Sequence, residues 1–350
     1  MMIANRYEPT GNVAAGGMGE IIECTDTHLR RRVIIKRLQT GIEQRRLVDE
    51  QKALAKLRSK HVVQLFDIVE LTDRGFLERA IVLEFIDGDN LDVGKLNSDL
   101  LYVKILWQLA CGLRDIHGAN IIHRDIKPSN IRLDKEGVIK IIDFGLARTA
   151  GLEAKTRSII GTPVFMAPEL WGTATVSFSK SIDTYAFGVT ALALLSSSVP
   201  TGLAKEPPQP IGRTTLNPII GALAADVGDI IFNCLNPNPS MRPDMEVVQG
   251  VLAGHLLRDQ HRALVVMNGR QHHLNKNSRK ITLNAPGVGG LVIEYDGMDF
   301  LVTSVTGSVF FNNADINVGD IVPGCCVITF GDGRARKFVT FDVSNPEAMP

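Results

Sequence analysis

The chain has 350 residues, of which 45% are hydrophobic and 22% are charged, a balance typical of a folded protein with two or three domains. Lys and Arg number 38 and Asp and Glu number 38, so no net positive field favours nucleic acid or an anionic membrane as a partner. The five cysteines include no Cys-x-x-Cys pair, and neither a signal peptide nor a membrane-length apolar run is evident. We therefore expect a protein of the reducing cytoplasm.

The first 86 residues are predicted to be mainly strands. Two strands flank the glycine turn Gly16-Gly17-Met18-Gly19. A helix is expected over residues 43–57, because leucines recur there at helical spacing. The other predicted strands are residues 31–36, 62–69 and 80–86, and a polar crossover follows over residues 84–90.

The hydrophobic period becomes helical after residue 90. Leu106, Leu109, Leu113 and Ile116 step by three or four, and residues 181–196 are apolar on most sides, which predicts a buried helix. Residues 200–218 contain five prolines and are predicted to be loop. Two more helices are expected near residues 220–235 and 243–257.

From about residue 262 the period becomes two, and Asn268-Gly269, Asp296-Gly297 and Asp332-Gly333 are typical hairpin turns. The predicted strands are residues 263–267, 280–283, 291–295, 300–305, 309–311, 327–330 and 337–343. Seven short strands in so short a stretch predict a small β-sandwich. His272-His273 beside a hairpin is predicted to lie in a solvated loop, which we favour over a metal site.

The segment His123-Arg124-Asp125-Ile126-Lys127-Pro128-Ser129-Asn130, followed by Asp143-Phe144-Gly145, concentrates polar chemistry between two β-branched runs. Asp125 can accept a proton from a hydroxyl, and Lys127 can neutralise phosphate charge. Asn130 and Asp143 offer the oxygen atoms that hard divalent cations prefer.

This pattern resembles the H-R-D-x-K-x-x-N and D-F-G segments of protein kinases. The resemblance covers residues 7–257 in the family's order. It implies an α+β chain with a bilobal kinase fold over residues 1–258, comprising an N-lobe at 1–86 and a C-lobe at 91–258. A small all-β sandwich domain over residues 262–350 is expected to follow.

The same resemblance implies ATP and Mg²⁺ as cofactors, with Asn130 and Asp143 as metal ligands and Asp125 orienting the acceptor. Lys36 would hold the nucleotide phosphates, oriented by Glu50. Two interpretations of the glycine turn are open: a plain β-hairpin, or a flap whose backbone N–H groups cover the nucleotide phosphates. If it is a flap, Ala14 occupies the position of the family's first glycine. The implied nucleotide-binding residues are Ala14, Gly16, Gly17, Gly19, Ile21, Lys36, Leu83, Glu84 and Ile86. Glu84 to Ile86 would form the backbone hinge for adenine, and Leu83 would control the pocket behind it.

Several other residues match kinase motifs with structural or regulatory roles. Thr162 and Glu169 lie in a segment that resembles the substrate-docking loop ending in A-P-E, and Asp183 and Arg242 are expected to brace the larger lobe, Arg242 by pairing with Glu169. His123 is predicted to be structural. The candidate phosphorylation sites are Thr149, Thr156 and Ser158, and Arg124 is the expected phosphate partner.

Residues 262–350 resemble a forkhead-associated domain, through Ser304-Val305-Thr306-Gly307-Ser308-Val309-Phe310 and Asn317-Val318-Gly319-Asp320-Ile321. Such domains usually read phosphothreonine. The phosphate-gripping residues do not match, because Thr306 replaces an asparagine and Gly287-Val288-Gly289-Gly290 replaces S-R-x-H. Arg279 or Arg270 could substitute for the family's arginine, although neither spacing fits well. We expect weak or no phosphothreonine binding and a role in protein contact or regulation, with an unrelated β-sandwich as the alternative.

The glycine turn looks most like bacterial-type kinases, and Lys127 with Gly161-Thr162-Pro163 favours serine or threonine acceptors. The sequence therefore predicts a protein serine/threonine kinase with protein substrates and an autophosphorylated activation segment. The alternative is a pseudokinase, a binding module without phosphoryl transfer, and Ala14 is the only residue that favours it.

Overall fold

The computed structural model describes residues 2–16, 19–37, 42–73, 76–149, 162–171, 178–332, 336–344 and 346. The chain divides into two compact units, Met1–Leu252 and Ala253–Met349. Among the helices of these described residues, none is long and apolar enough to cross a membrane.

The first unit begins with a five-stranded antiparallel sheet in the order β1-β2-β3-β5-β4. Its strands are β1 (Tyr7–Gly16), β2 (Gly19–Asp26), β3 (Arg31–Arg37), β4 (Leu65–Asp73) and β5 (Phe76–Glu84). Helix α1 (Ile42–Leu54) joins β3 to β4. Val33 and Ile35 of β3 pack into the apolar core of this sheet. Because strand residues alternate between faces, Ile34 and Lys36 lie on the opposite face.

Strand β4 begins at Leu65, later than the predicted residue 62. The physical reason is that Val62 and Val63 pair elsewhere. Val62 forms a parallel bridge with Ile141, and the Val63 backbone N–H donates to the Ile141 carbonyl at 3.0 Å. The apolar run at 62–69 is thus shared between two sheets, a division that local periodicity does not reveal.

The rest of the first unit is mainly helical. Its helices are α2 (Leu100–Gly118), α3 (Ser181–Leu195), α4 (Arg213–Ile220), α5 (Ala225–Cys234) and α6 (Met245–Leu257), and α6 continues across the unit boundary. Every residue of α3 from Ile182 to Leu194 is buried, as its all-round apolar character predicts. Five short strands complete the unit: β6 (Gly88–Asn90), β7 (Ile121–Ile122), β8 (Ile131–Asp134), β9 (Ile139–Ile141) and β10 (Arg148–Thr149).

Two local predictions for this part were wrong. The predicted crossover at 84–90 contains strand β6, which pairs with β8 in the sheet β6-β8-β9. The predicted loop at 200–218 contains most of helix α4, which includes Pro218. Proline removes one backbone donor, yet the helix continues past Pro218, and the Asn217 carbonyl accepts from the Gly221 backbone N–H at 2.8 Å.

The second unit consists of two antiparallel sheets, in the orders β12-β11-β19-β18-β16-β17 and β13-β14-β15. The strands are β11 (Arg262–Met267), β12 (Arg270–Leu274), β13 (Lys280–Ala285), β14 (Gly289–Tyr295), β15 (Phe300–Gly307), β16 (Val309–Phe311), β17 (Ala314–Asp315), β18 (Cys325–Phe330) and β19 (Lys337–Ser344). Residues of both sheets, among them Val265, Ile293 and Phe330, bury their side chains in one apolar cluster. The two sheets therefore form a β-sandwich.

Asn268 and Gly269 have φ values of 51° and 74°, the conformation that a two-residue hairpin turn requires. This turn leads into β12, so His272 and His273 lie in an exposed strand and not in the predicted loop. Because both histidines are polar and exposed, the strand has no alternation of apolar and polar residues that would reveal it in the sequence. Among the described residues, no group of three His, Cys, Asp or Glu side chains is arranged to hold a metal ion.

A buried ion pair braces the helical part of the first unit. Arg242 Nη1 and Nη2 lie 2.7 and 2.8 Å from the two carboxylate oxygens of Glu169, and the Arg242 side chain is 0% exposed. The same guanidinium donates to the carbonyls of Ser181 and Asn236. One arginine thus ties together three separate segments.

We expect Arg242→Gln to lower the free energy of unfolding of the first unit by about 3 kcal/mol, because it leaves a carboxylate without its buried partner. Both tryptophans, Trp107 and Trp171, lie in this unit, so tryptophan fluorescence during urea unfolding reports on it alone. Arg114→Gln is the control, since the pair of Arg114 and Asp115 is largely exposed and should contribute under about 1 kcal/mol. Equal losses in the two variants would contradict the bracing role.

Candidate active site

The loop after β7 owes its shape to one buried carboxylate, that of Asp183 in α3. Asp183 Oδ2 accepts from the His123 backbone N–H at 2.8 Å, and Oδ1 accepts from the Arg124 backbone N–H at 2.8 Å. His117 Nε2 at the end of α2 lies 2.9 Å from Oδ2. These contacts hold Arg124 at a φ of 73°, a left-handed conformation that a residue with a side chain seldom adopts.

The pKa of Asp183 reflects this arrangement. Burial by itself would raise the pKa of the carboxyl, but the hydrogen bond with His117 and the electrostatic interactions with His117 and His123 outweigh it. The pKa therefore lies below its usual range, and Asp183 remains an anion inside the protein. Hydrogen bonds from backbone N–H groups are stronger when the acceptor is charged, so the ionised Asp183 holds the two N–H groups firmly.

Immediately after this anchor, the polar residues of the loop converge on Asp125. Lys127 Nζ lies 2.8 Å from Asp125 Oδ2, and Asn130 Nδ2 donates to the same oxygen and to the Asp125 carbonyl, each at 2.8 Å. Lys127 Nζ also donates to Thr162 Oγ1 at 2.8 Å. The structure thus brings together four residues that the sequence analysis singled out, including Thr162 from a distant segment.

A second polar cluster centres on Lys36, the next-to-last residue of β3. Its Nζ lies 2.8 Å from Glu50 Oε2 in α1 and 3.0 Å from Asp143 Oδ1. Burial would lower the pKa of Lys36, yet the two carboxylates overcome this and raise it. The reverse holds for Asp143, whose pKa burial would raise and the Lys36 ammonium lowers. Lys36 and Asp143 are therefore both charged.

Asp143 itself has a φ of 64°, so it too is held in a left-handed conformation. The next residue, Phe144, is fully buried and packs edge-on against the His123 ring, with centroids 4.6 Å apart. The Phe144 backbone N–H donates to Glu50 Oε1 at 3.3 Å. The His123 ring therefore packs against Phe144, and its Nε2 lies 3.2 Å from the Ile142 carbonyl.

The predicted hinge begins at Glu84, the last residue of β5, and Leu83 directly precedes it in the same strand. The side chains of Leu83 and Ile86 are buried, while the Glu84 carboxylate lies 2.9 Å from Lys140 Nζ on β9. The Gln64 backbone N–H also donates to Glu84 at 3.2 Å. The sequence analysis missed Lys140, although a lysine inside the apolar run Val138-Ile139-Lys140-Ile141-Ile142 was a visible signal that a partner was needed.

The glycine turn joins β1 and β2, with Gly16 opposite Gly19 and Ala14 opposite Ile21 in the register. Ile21 is in turn the neighbour of Lys36 on β3, so it shares the face of the sheet that carries the lysine. Gly17 lies outside the described residues.

The candidate phosphorylation sites are described in part. Thr149 lies in β10 and pairs with Ile121 of β7, whereas Thr156 and Ser158 fall outside the described residues. The Arg124 guanidinium, the predicted phosphate partner, lies 3.8 Å from the centre of the Phe178 ring.

Comparison with known proteins agrees with this geometry. Residues 7–251 match the family model of the protein kinase domain. The chain is 34% identical over 197 residues to mitogen-activated protein kinase 8 of Arabidopsis thaliana, covering 53% of this chain and 33% of that protein. It is 31% identical over 214 residues to the probable serine/threonine-protein kinase pknA2 of Bifidobacterium longum, covering 57% of this chain and 27% of that protein. The matches thus span a third or less of each of these two relatives.

Proposed function

The chain belongs to the protein kinase domain family, and we propose from this membership that it transfers the γ-phosphate of ATP to serine and threonine hydroxyls of proteins. The proposal rests on one observation: the two polar clusters, around Lys36 and around Asp125, are both formed in the structure. Lys36 lies within 3.0 Å of both Glu50 and Asp143, and Lys127 and Asn130 both meet Asp125. An N-lobe at residues 1–86, a C-lobe at 91–258 and a separate domain at 262–350 are part of the same proposal.

The oxygen atoms available at the site suit Mg²⁺. Asn130 uses its amide nitrogen on Asp125, which leaves its amide oxygen for a cation, and Asp143 supplies a carboxylate. Magnesium is usually held by one or two such ligands together with substrate phosphates, so a site without a three-carboxylate cluster is expected. The ion would neutralise negative charge on the phosphates during transfer.

The protein's own side chains then have distinct tasks. Asp125 orients the acceptor hydroxyl and takes its proton, while Lys127 offers positive charge beside it. Lys36 contacts the phosphates, kept in position by Glu50. Catalysis of this kind consists mostly of positioning and charge stabilisation, which requires rigid and pre-formed contacts such as these.

A pseudokinase that binds without phosphoryl transfer is the second candidate, and Ala14 in the flap is the observation that favours it. The two candidates separate in a transfer assay with labelled ATP and a generic acceptor protein, with and without Mg²⁺. The cytoplasm is the proposed location, supported by the five cysteines, all of which are free.

We expect Asp125→Asn to lower the transfer rate by about 10²- to 10⁴-fold, because the acceptor hydroxyl loses the carboxylate that takes its proton. ATP binding and the melting temperature should stay near those of the unchanged protein. Asp143→Asn is the matched variant, and it should weaken binding of Mg·ATP as well. Turnover of Asp125→Asn near the normal rate would refute the assignment.

The proposal includes control by autophosphorylation of the segment between Gly145 and Gly161. Thr156 and Ser158 lie beside Lys155 and Arg157, and a phosphate on either is a suitable partner for Arg124. Thr149 is the poorer acceptor of the three, because its backbone is already paired with Ile121 in a strand.

We expect enzyme that was first dephosphorylated, then incubated with Mg·ATP, to carry phosphate on Thr156 or Ser158 before Thr149. Peptide mass spectrometry over a time course would measure this order, with Asp125→Asn as the control that cannot modify itself. A fully active enzyme whose segment stays unmodified would contradict the proposed control.

For the second unit we propose a forkhead-associated-like β-sandwich that contacts proteins but binds phosphothreonine weakly or not at all. The Asp332 carboxylate lies beside the turn at Thr306 to Ser308, where Ser308 Oγ donates to Asp332 Oδ2 at 3.0 Å. Its negative charge would repel a bound phosphate. Arg279 precedes β13 at the end opposite to Gly307, and it is paired with Asp259 at 2.5 Å. Arg270 starts β12, four strands and roughly 19 Å from β16.

We expect the full chain carrying Asp125→Asn, titrated with a degenerate phosphothreonine peptide library, to bind it no better than the dephosphorylated library. The reason is that a phosphate needs several charge-assisted donors, which this turn does not supply. Fluorescence anisotropy would measure both titrations. Micromolar binding that disappears on dephosphorylation would show the proposal wrong.

A further inference from the structure

The first half of the second unit carries a local excess of positive charge, although the chain as a whole has no net charge. Between residues 258 and 293 the only acidic residue of the sequence is Asp259. The basic residues of the same stretch are Arg258, Arg262, Arg270, Lys276, Arg279 and Lys280. A surface region of one charge sign attracts ligands of the opposite sign.

A cavity of about 290 Å³ lies within this basic stretch. Its walls include Arg262, which begins β11, His273 near the end of β12, and Lys276 in the turn that follows. Leu264 pairs with His273, so Arg262, two residues before Leu264, lies on the same face of the sheet as His273. All of the lining residues belong to the second unit. The turn leads into β13 at the end of the sandwich opposite to Gly307.

Two cations of this cavity have no counter-ion. The Asp259 carboxylate also lines the cavity, but it is paired with Arg279, whose Nη2 lies 2.5 Å from Asp259 Oδ1. Within the part of the chain that the structure describes, neither Arg262 nor Lys276 takes part in an ion pair. The cavity therefore keeps two positive charges that an anionic ligand could neutralise.

The turn that carries Lys276 is held in one shape by its own hydrogen bonds. The Asn275 backbone N–H donates to the Ser278 carbonyl at 3.0 Å, and the Ser278 N–H donates to the Asn275 carbonyl at 3.1 Å. The Asn275 side-chain oxygen accepts from the backbone N–H groups of Asn277 and Ser278 at 2.8 and 3.1 Å. Its amide nitrogen is thereby left as a further donor at the cavity. A turn that is fixed in advance loses little entropy when a ligand binds.

We propose that this cavity binds a small molecule that carries a diphosphate or a longer phosphate chain. Arg262, Lys276 and the neighbouring imidazole and amide N–H groups offer more donors than the three terminal oxygens of a single phosphate monoester accept. A compact ligand suits a cavity of this size, whereas a nucleic acid needs an extended basic groove. Binding here goes beyond the proposed phosphoryl transfer and does not depend on it.

Inorganic pyrophosphate is the probe, and equilibrium dialysis of the full chain against the labelled ion, without Mg²⁺, measures its binding. We expect saturable binding that Arg262→Gln and Lys276→Gln each weaken about 5- to 30-fold, the range of one partly exposed charge-assisted contact. Inorganic phosphate should bind at least about 5-fold more weakly, because it engages fewer of the donors.

Two control variants locate the bound ion. Arg270→Gln removes the same charge at the other end of β12 and should leave pyrophosphate binding unchanged. Lys36→Met removes the ammonium of the cleft in the first unit and should leave it unchanged as well.

Several results would overturn the proposal. One is the absence of saturable binding up to about 1 mM pyrophosphate. Equal weakening by Arg270→Gln would mean a diffuse field in place of a defined cavity, and loss in Lys36→Met with normal binding in Arg262→Gln would assign the ion to the first unit. Displacement of pyrophosphate by the phosphothreonine peptide library would reject a small-molecule ligand. Thermal melts check folding, and Lys276→Gln, in an exposed turn, decides the test if Arg262→Gln unfolds.

Discussion

The geometry of the site depends on the buried carboxylate of Asp183. A charged group in the interior is costly unless hydrogen bonds compensate it, and here two backbone N–H groups and His117 do so. In return the carboxylate fixes His123 and Arg124 from α3, the most deeply buried helix of the first unit. Asp125 is the next residue in the chain, so the hydrogen bonds from His123 and Arg124 to Asp183 help to set the orientation of its side chain, together with its own contacts.

Lys36 plays the corresponding role for the sheet side of the cleft. Its two carboxylate partners come from α1 and from the segment after β9, so one ammonium links three elements that are far apart in sequence. Two anions around one cation leave a local excess of negative charge. A cation bound at Asp143 would relieve that excess, and the phosphates that accompany it would then share Lys36 with Glu50.

Much of this site could be predicted from the sequence, because Asp125, Lys127 and Asn130 lie within six residues and their spacing alone brings them together. The contact between Arg242 and Glu169 was predicted from motif order, and the structure contains it. Lys140 was missed for a physical reason. The apolar run around it indicates that a partner is needed, but only the tertiary fold brings Glu84 to it, and local periodicity does not encode that contact. Strand β12 and helix α4 were missed because exposed polar residues and prolines conceal a regular backbone.

In the second unit, the residues that determine the fold are different from the residues that determine the chemistry of the surface. Its buried positions alternate strictly in β11 and β13, and both sheets contribute to one core, so the sandwich is specified by apolar side chains alone. The turns at its ends are under no such constraint. Gly289 faces Gly307 across two strands, where an added side chain would collide with the Thr306 carbonyl at 2.6 Å. Close backbone packing therefore leaves no room for a side chain at Gly289.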